Sequence, residues 1–248
     1  MGDEFVAYYQ QLLGTSKTIV PLDSAVIQCG PCLPPSSHGF LLSPVSHEDI
    51  HQVVFSIENE KAPDPDGYSS FFKQAWSVVG GDFYAAVQDF FHSGKLLKQV
   101  SHSIIALVPK SENVSSPSDF RPISCCNVIY KVIAKILASR LAQALQDIVS
   151  PMQNAFLGGR NMSDNINLVQ ELLRQYGRKS TSPRCLLKVD FKKAFDSVQW
   201  EFLERLFRYL DFPAKFLLLV MQCVSSASYS VAVNGDIHGF FSGNSGVR

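Results

Sequence analysis

The longest regular pattern in the chain is an apolar stripe across residues 127–149, and it constrains the fold more than any other feature. Lys131, Lys135 and Arg140 lie off this stripe. Because apolar side chains recur every three or four residues, the pattern is typical of one face of an α-helix. It predicts a helix of about six turns that must pack against other elements through Val132, Ile133, Ile136, Leu137, Leu141, Leu145 and Ile148.

Shorter patterns predict both helices and strands around this helix. Ser46 and Asp49 have the spacing of a capping box at the start of a helix. Apolar periodicity favours further helices near residues 71–91, 166–176 and 198–210, with Pro213 at the start of another.

Three short apolar runs indicate strands. They cover residues 103–108, 185–191 and 229–233, and the last is followed by Asn234-Gly235, a hairpin signal. Because the strands are too scattered for a regular βαβ repeat, the expected fold class is α+β. Proline and serine in residues 20–45 predict an irregular linker there.

Composition excludes several classes of protein. The chain has 248 residues, of which 46% are hydrophobic, so it can bury a sizeable core. The longest apolar run has six residues, 216–221, whereas a membrane span needs about 20, so no membrane partner is expected. Six irregularly spaced cysteines are not typical of a disulfide scaffold. We therefore expect reduced thiols and an intracellular protein, in the nucleus or the cytoplasm.

The net charge is zero, but the charges are unevenly distributed. Residues 1–97 hold 4 Lys/Arg and 11 Asp/Glu, while residues 98–208 hold 16 and 9. A basic middle segment beside an acidic flank indicates either a nucleic-acid surface or solvated helix faces. Charge alone leaves both interpretations open.

Two short motifs resemble metal or redox sites without their usual context. Cys29 and Cys32 have the spacing of a thioredoxin-type pair but stand in the proline-rich segment. His47 and His51 have the H-E-x-x-H spacing of zinc peptidases, with no third ligand in view. Packing and surface roles explain both motifs as well.

The segment around Asp190 carries the strongest chemical signal. Asp190 ends an apolar run, and a helix is expected a few residues later. An ionised carboxylate in a buried strand is costly unless a metal ion or a cation compensates it. Asp190 is therefore either a metal ligand or a member of an ion pair, whereas Asp196 suits the start of the following helix.

Six blocks in order resemble the reverse transcriptase of LINE-type (non-LTR) retrotransposons, and most closely the plant elements. The blocks are Lys-Ala-Pro-Asp-Pro-Asp-Gly at 61–67, Ile-Ile-Ala-Leu-Val-Pro-Lys at 104–110, Asp-Phe-Arg-Pro-Ile-Ser at 119–124, the helix at 127–141, Gln-Asn-Ala-Phe at 153–156 with Gly159-Arg160 and Asp164-Asn165, and Asp-Phe-Lys-Lys-Ala-Phe-Asp at 190–196.

The resemblance implies a right-hand polymerase with fingers and a partial palm. Residues 1–45 would be a connector, 46–100 an N-terminal helical extension, 101–184 the fingers and 185–248 the partial palm, with the thumb absent. The implied function is RNA-directed DNA polymerisation on an RNA template and a DNA primer, with deoxynucleoside triphosphates as substrates.

The resemblance also implies roles for individual residues. Asp190 would be a catalytic Mg²⁺ ligand, with the backbone carbonyl of Phe191 beside it. Lys110 and Arg121 would contact the incoming triphosphate, and Phe195 would exclude a 2′-hydroxyl. Template phosphates would lie against four further cations of the basic segment: Lys131, Lys135, Arg140 and Arg160.

Some family features are missing or altered. Residues 1–248 contain no adjacent Asp pair, and the match ends within the block at 234–248. Asp64 stands where the family usually has Gly, which predicts strain if the backbone there needs positive φ, and Ser245 replaces a usual Arg. We expect the chain alone to be inactive and marginally stable, to need a missing palm and thumb, and not to hold Mg²⁺ firmly. The alternative is a non-catalytic remnant that binds nucleic acid.

Overall fold

The structure is a computed structural model that describes residues 2–20, 23, 25, 30–58, 64–67, 69–174, 176, 185–191 and 193–247. The helices are α1 (Gly2–Leu13), α2 (Ser36–Leu41), α3 (His47–Phe55), α4 (Ser69–Gln74), α5 (Trp76–Ser93), α6 (Lys98–Ser101), α7 (Val128–Ile148), α8 (Met162–Arg174), α9 (Trp200–Tyr209) and α10 (Ala214–Ser225). Within the described part of the chain, no helix is long and apolar enough to cross a membrane.

The strands form one mixed sheet beside these helices. They are β1 (His102–Pro109), β2 (Phe120–Cys126), β3 (Ser228–Val233) and β4 (Asp236–Ser242), in the order β2-β1-β3-β4. β1 pairs in parallel with β3, and the two outer pairs are antiparallel. Asn234 and Gly235 both have positive φ in the tight turn between β3 and β4, which confirms the predicted hairpin. The sheet and its helices give an α+β fold.

The helix α7 is the centre of the larger core. It matches the predicted range within one residue at each end, and its stripe is buried against α3, α5 and α10. The predicted capping box at the start of α3 is also confirmed, because Ser46 and Asp49 exchange side-chain and backbone hydrogen bonds of 2.8 and 3.1 Å. The expected single helix near 71–91 is two helices, α4 and α5.

A second, smaller core lies between α1 and the sheet. Phe5, Tyr9 and Leu13 from α1 pack on Ile105 of β1 and Val231 of β3. The C-terminal segment closes this contact, since its Asn244 and Ser245 backbone N–H groups both donate to the Leu13 carbonyl. Neither α1 nor β2 was predicted from the sequence patterns.

The strand predicted at residues 185–191 is wrong. These residues have no regular secondary structure, and the apolar side chains of Leu186, Leu187, Val189 and Phe191 are exposed. A strand needs a neighbour that accepts its backbone hydrogen bonds. The four described strands, β1–β4, pair with one another, and none of them pairs with residues 185–191. No described strand therefore accepts backbone hydrogen bonds from this segment.

The linker predicted at residues 20–45 is wrong for its described second half. Residues 36–41 form α2, and Leu33, Leu41 and Val45 are buried in the larger core. Three apolar side chains among the prolines are enough to fix this segment, and Leu33 N–H donates to the Leu210 carbonyl at 2.9 Å. The first half lies largely outside the described residues.

The strain expected at Asp64 is also absent. Asp64 is not among the described residues with positive φ, whereas Gly67 has φ 103°. The two residues exchange backbone hydrogen bonds of 2.9 Å, so the turn places its left-handed residue at Gly67. Residues 61–63 of the same block lie outside the described residues.

Candidate functional site

A cleft with a volume of about 720 Å³ lies between α1, the β1–β2 connection and the turn at 193–197. Lys110, Arg121 and Phe195 line this cleft, together with Lys193 and Asp196. The structure thus brings together the three residues that the sequence assigned to the substrate. We call this feature the 110/121 cleft.

The β1–β2 pairing places the two predicted cations at the same end of the sheet. Lys110 follows the last residue of β1, and Arg121 is the second residue of β2, opposite Val108. Lys110 is held there by two hydrogen bonds, from its backbone N–H to the Asp119 carbonyl at 2.9 Å and from Nζ to the Ser118 carbonyl at 2.6 Å. Both side chains are otherwise exposed, so their charges face the solvent-filled cleft.

The connection between β1 and β2 is fixed by Asp119. Its carboxylate accepts hydrogen bonds from the backbone N–H groups of Ser115 and Ser116, each at 3.0 Å. These bonds hold the pKa of Asp119 below its usual value, because they stabilise the ionised form. The acidic residue of the Asp-Phe-Arg-Pro-Ile-Ser block therefore holds the connection that positions the two cations.

Phe195 enters the cleft from the opposite side. Its side chain is 59% exposed, and its ring meets the Phe156 ring edge-to-face at 6.0 Å. The backbone carbonyl of Phe195 accepts a 2.9 Å hydrogen bond from Val247 N–H. The main chain is thus anchored while the ring remains available to a ligand.

Lys193 and Tyr8 are the functional candidates that sequence reasoning missed. The Lys193 backbone has φ 55°, and its ammonium lies 4.5 Å from the centre of the Tyr8 ring, with Nζ donating to the Tyr8 hydroxyl. Asp196 is 7% exposed and lines the same cleft. Lys193 lies in the block at 190–196 that resembles the family, and this position is a signal that the sequence offers. Tyr8 lies in none of the six blocks, and the packing of α1 was not predicted.

Three cations therefore converge on one cleft, with a single buried carboxylate among its lining residues. Lys110, Arg121 and Lys193 favour an anionic ligand, and Arg121 offers the planar guanidinium that binds phosphate oxygens in pairs. A triphosphate has the charge and the size to use all three cations. The arrangement can bind and orient such a group.

Asp190 and Phe191 do not join this cleft. Both are exposed, and neither is among the residues that line it. The described part of the chain contains no group of three or more His, Cys, Asp or Glu side chains that could hold a metal ion. Because a two-metal centre needs several carboxylates, the described residues do not form one by themselves.

Lys131 and Lys135 lie on the same face of α7 as the 64–67 turn and α3. Lys131 forms an ion pair with Asp64, and Lys135 donates to Ser56 Oγ at 2.8 Å. Lys135 is exposed and Lys131 is half-buried. Both remain within reach of a ligand on this surface, with the charge of Lys131 already balanced by Asp64.

Arg140, which the resemblance places against the template, is largely buried in this structure. Arg140 is 8% exposed, and its guanidinium donates to the Leu41 and Pro44 carbonyls at 3.1 and 3.4 Å. The charge also lies 5.7 Å from the centre of the Phe91 ring. The segment that contains α2 covers this side of α7, which is why a residue off the apolar stripe becomes buried.

Arg160 binds backbone carbonyls just after the end of α7. Its guanidinium donates to the carbonyls of Val149, Ser150 and Gln153 at 3.0, 2.6 and 2.8 Å. These carbonyls follow the last helical turn and would otherwise need water as a partner. Arg160 is half-buried, so its main visible role is to close the turn after α7.

The two histidines of the zinc-like motif pack against aromatic rings. The His47 ring lies 4.7 Å from the Tyr84 ring, and the His51 ring stacks on Phe55 at 4.1 Å. Cys32 is exposed and donates from Sγ to the Tyr209 carbonyl, while Cys29 lies outside the described residues.

Comparisons with known proteins support the family resemblance. A family described as reverse transcriptase (RNA-dependent DNA polymerase) matches residues 108–247. The chain is 27% identical over 209 residues to a transposon TX1 uncharacterized 149 kDa protein of Xenopus laevis, covering 84% of this chain and 16% of that protein. It is 27% identical over 194 residues to a retrovirus-related Pol polyprotein of the type-2 retrotransposable element R2DM of Drosophila melanogaster, covering 78% and 18%. A type-1 retrotransposable element R2 polyprotein of Nasonia vitripennis is 25% identical over 159 residues, covering 64% and 15%. The matches thus span less than a fifth of each relative's length.

Proposed function

Because the chain belongs to the reverse transcriptase (RNA-dependent DNA polymerase) family, we propose that it is part of an RNA-directed DNA polymerase of a non-LTR retrotransposon. Within it, the 110/121 cleft binds the incoming deoxynucleoside triphosphate. The observation that carries this proposal is the convergence of Lys110, Arg121 and Phe195 on one cleft. Phe195 is far from Lys110 and Arg121 in the sequence, and it lies in the 193–197 turn on the other side of the same cleft.

Each side of the cleft has a different task in this proposal. Lys110 and Arg121 neutralise the triphosphate, with Arg121 binding two oxygens at once. Lys193 adds a third positive charge, and its contact with the Tyr8 ring restricts where its ammonium can go. Phe195 supports the sugar and leaves no room for a 2′-hydroxyl.

The metal centre of this polymerase needs groups beyond the described residues. Two Mg²⁺ ions would supply electrostatic stabilisation for nucleotidyl transfer, and Asp190 with the Phe191 carbonyl would be this chain's ligands. The resemblance also implies a pair of adjacent catalytic Asp residues. The 248 residues contain no adjacent Asp pair. We therefore propose that turnover needs a further polypeptide segment with palm and thumb.

The domain division follows the same reasoning. Residues 101–184 would form the fingers and residues 185–248 the start of the palm, preceded by a connector at 1–45 and a helical extension at 46–100. An RNA template and a DNA primer would lie against the basic middle segment, where Lys135 offers an exposed charge.

Triphosphate binding can be measured on the chain as it stands. We expect deoxythymidine triphosphate to bind in a calorimetric titration at low salt, and Arg121→Gln to weaken it about tenfold, since a charge-assisted bidentate contact is lost. Lys98→Gln is the matched control, because Lys98 is an exposed cation outside the cleft. Equal binding by the wild type and Arg121→Gln would contradict the assignment.

A second candidate is a non-catalytic nucleic-acid-binding remnant of such an element. It is favoured by the exposure of Asp190 outside the 110/121 cleft. Both candidates predict RNA binding that weakens steeply with salt. A primer-extension assay separates them: template-dependent incorporation by this chain, alone or joined to the missing palm and thumb, supports the polymerase, and failure of the joined protein supports the remnant.

A further inference from the structure

Arg140 borders a second cavity, away from the 110/121 cleft. This cavity has a volume of about 150 Å³ and lies between the α2–α3 connection, α5, α7 and α10. Three side chains on its walls carry or can carry positive charge: Arg140 from α7, Lys215 from α10 and His92 from α5. No Asp or Glu is among its lining residues.

The guanidinium of Arg140 is buried without a carboxylate partner. It takes part in none of the ion pairs found among the described residues. Its two hydrogen bonds go to neutral carbonyls, which leaves three of its five N–H groups without an acceptor in the described part of the chain. Burial of an unpaired charge is costly, and a bound anion would offset that cost.

Two features of the surroundings act on the charge of Arg140 in opposite directions. Burial holds the pKa of Arg140 below its usual value, although the negative charge of Asp49 opposes the shift. The Asp49 carboxylate is itself engaged by the Ser46 N–H at 2.8 Å, in the capping box of α3. It influences Arg140 from a distance and does not pair with it.

The other lining groups are arranged to accept an anion. His92 has Nδ1 3.3 Å from the Gln88 carbonyl, which leaves Nε2 as its free ring nitrogen. Gln88 donates to the Val45 carbonyl at 3.3 Å and so fixes that wall. Lys215 is in the first turn of α10, where the helix dipole also favours negative charge.

We propose that this cavity binds a single phosphate-sized oxyanion, held by Arg140 and Lys215 with His92 at its edge. Its volume of about 150 Å³ has room for several water molecules, which suits a tetrahedral oxyanion. Sites for larger ligands usually measure about 300–1,000 Å³, so a whole nucleotide is too large. The ligand is either free inorganic phosphate or the terminal phosphate of an oligonucleotide.

A titration of the full chain with inorganic phosphate tests this site. Binding is followed by calorimetry and by the rise in melting temperature, against sodium chloride of equal ionic strength. We expect saturable binding, and a dissociation constant about tenfold higher in Lys215→Gln, since one charged contact is removed. Lys95→Gln is the control, because Lys95 is an exposed cation that does not line the cavity.

Three further comparisons complete the test. His92→Gln should weaken binding less than Lys215→Gln. The loss caused by Lys215→Gln should be the same in the wild type and in an Arg121→Gln background, in which the proposed nucleotide cleft is weakened, and this separates the two sites. An oligonucleotide with a 5′-phosphate that binds more tightly than its 5′-hydroxyl form, in a Lys215-dependent manner, identifies the phosphate as terminal; equal binding identifies it as free. An equal effect of phosphate and chloride, or equal binding by Lys215→Gln and the wild type, overturns the proposal.

Discussion

The carboxylate of Asp66 caps a helix that begins more than sixty positions later in the chain: its Oδ2 accepts a 2.8 Å hydrogen bond from Val128 N–H, the first residue of α7. Asn127, the N-cap residue, makes no side-chain cap of its own. Helices usually obtain such a hydrogen-bond acceptor from their own N-cap residue. In α7 the acceptor comes instead from Asp66 in the 64–67 turn. Lys131 lies one helical turn further along α7 and forms an ion pair with Asp64, which also holds the 64–67 segment against this helix.

Asp66→Ala should lower the free energy of unfolding by about 1 kcal/mol, the usual cost of a lost N-cap. Asp66→Asn keeps an oxygen acceptor, so we expect it to be at least as stable as the wild type at neutral pH. Urea unfolding measures both, with Asp82→Asn as the control at an exposed carboxylate. Equal losses in the Ala and Asn variants would contradict the capping role.

The same residue should give the stability a pH dependence. Although Asp66 is exposed as a whole, desolvation of its carboxyl group against α7 raises its pKa above the ordinary value. A raised folded-state pKa means that protonation of the carboxyl group adds stability, which is fully present below the ordinary pKa and is lost as the pH rises through the raised value. The hydrogen bond from Val128 N–H remains in the ionised form. Asp66→Asn should remove this decline, which urea unfolding at several pH values would detect.

Arg160→Ala should destabilise the chain by about 2 kcal/mol, because three hydrogen bonds from a charged group to backbone carbonyls are lost. Arg174→Ala is the matched control, because Arg174 forms a 3.4 Å ion pair with Glu171 on the surface, and such a pair contributes little. Chemical denaturation reports both. If Arg160→Ala kept full stability but bound RNA less well, the template role expected from the sequence would be restored.

The cysteines should react with iodoacetamide at very different rates. Burial raises the pKa of Cys223 to about 12 and also raises that of Cys126, so few of these thiols ionise at pH 8. Cys32 and Cys185 are exposed and should be alkylated first. Mass spectrometry after short labelling would show this order, and full labelling in denaturant is the control. Labelling of Cys223 at the rate of Cys32 in the native chain would place it on the surface.

α8 exposes apolar side chains that contribute little to stability. Ile166 and Leu172 are 55% and 53% exposed, and no residue of this helix is buried. The double variant Ile166→Gln/Leu172→Gln should change the free energy of unfolding by less than about 1 kcal/mol and reduce the binding of a hydrophobic dye. Ile133→Ala, at a fully buried position of α7, should by contrast cost about 2–5 kcal/mol. A large loss of stability in the double variant would show that α8 packs against the rest of the chain.

Local patterns predicted those elements whose stability is local. The stripe of α7, the Ser46–Asp49 box and the Asn234-Gly235 turn each specify their own conformation, and all three were found. β2 was not predicted because Pro122 interrupts its pattern. The structure accommodates this proline because β2 is an edge strand, where a missing N–H can be tolerated.

The remaining differences depend on what covers each segment. Residues 185–191 carry the apolar sequence of a strand, yet among the described strands none pairs with them. Arg140 lies off the stripe of α7, yet α2 and its flanks bury it. For the site, the block order led to Lys110, Arg121 and Phe195, whereas Tyr8 could not be found without knowing that α1 packs on the sheet.

The parallel pairing of β1 with β3 has a consequence for synthesis of the chain. Ile105 lies opposite Val231, and α1 packs on the surface that these two strands form. On the ribosome, α1 and β1 are made early but have no completed sheet to join until β3 has emerged. A nascent chain therefore keeps the apolar faces of Phe5, Tyr9 and Leu13 uncovered until β3 has been made, and we expect it to depend on chaperones during that interval.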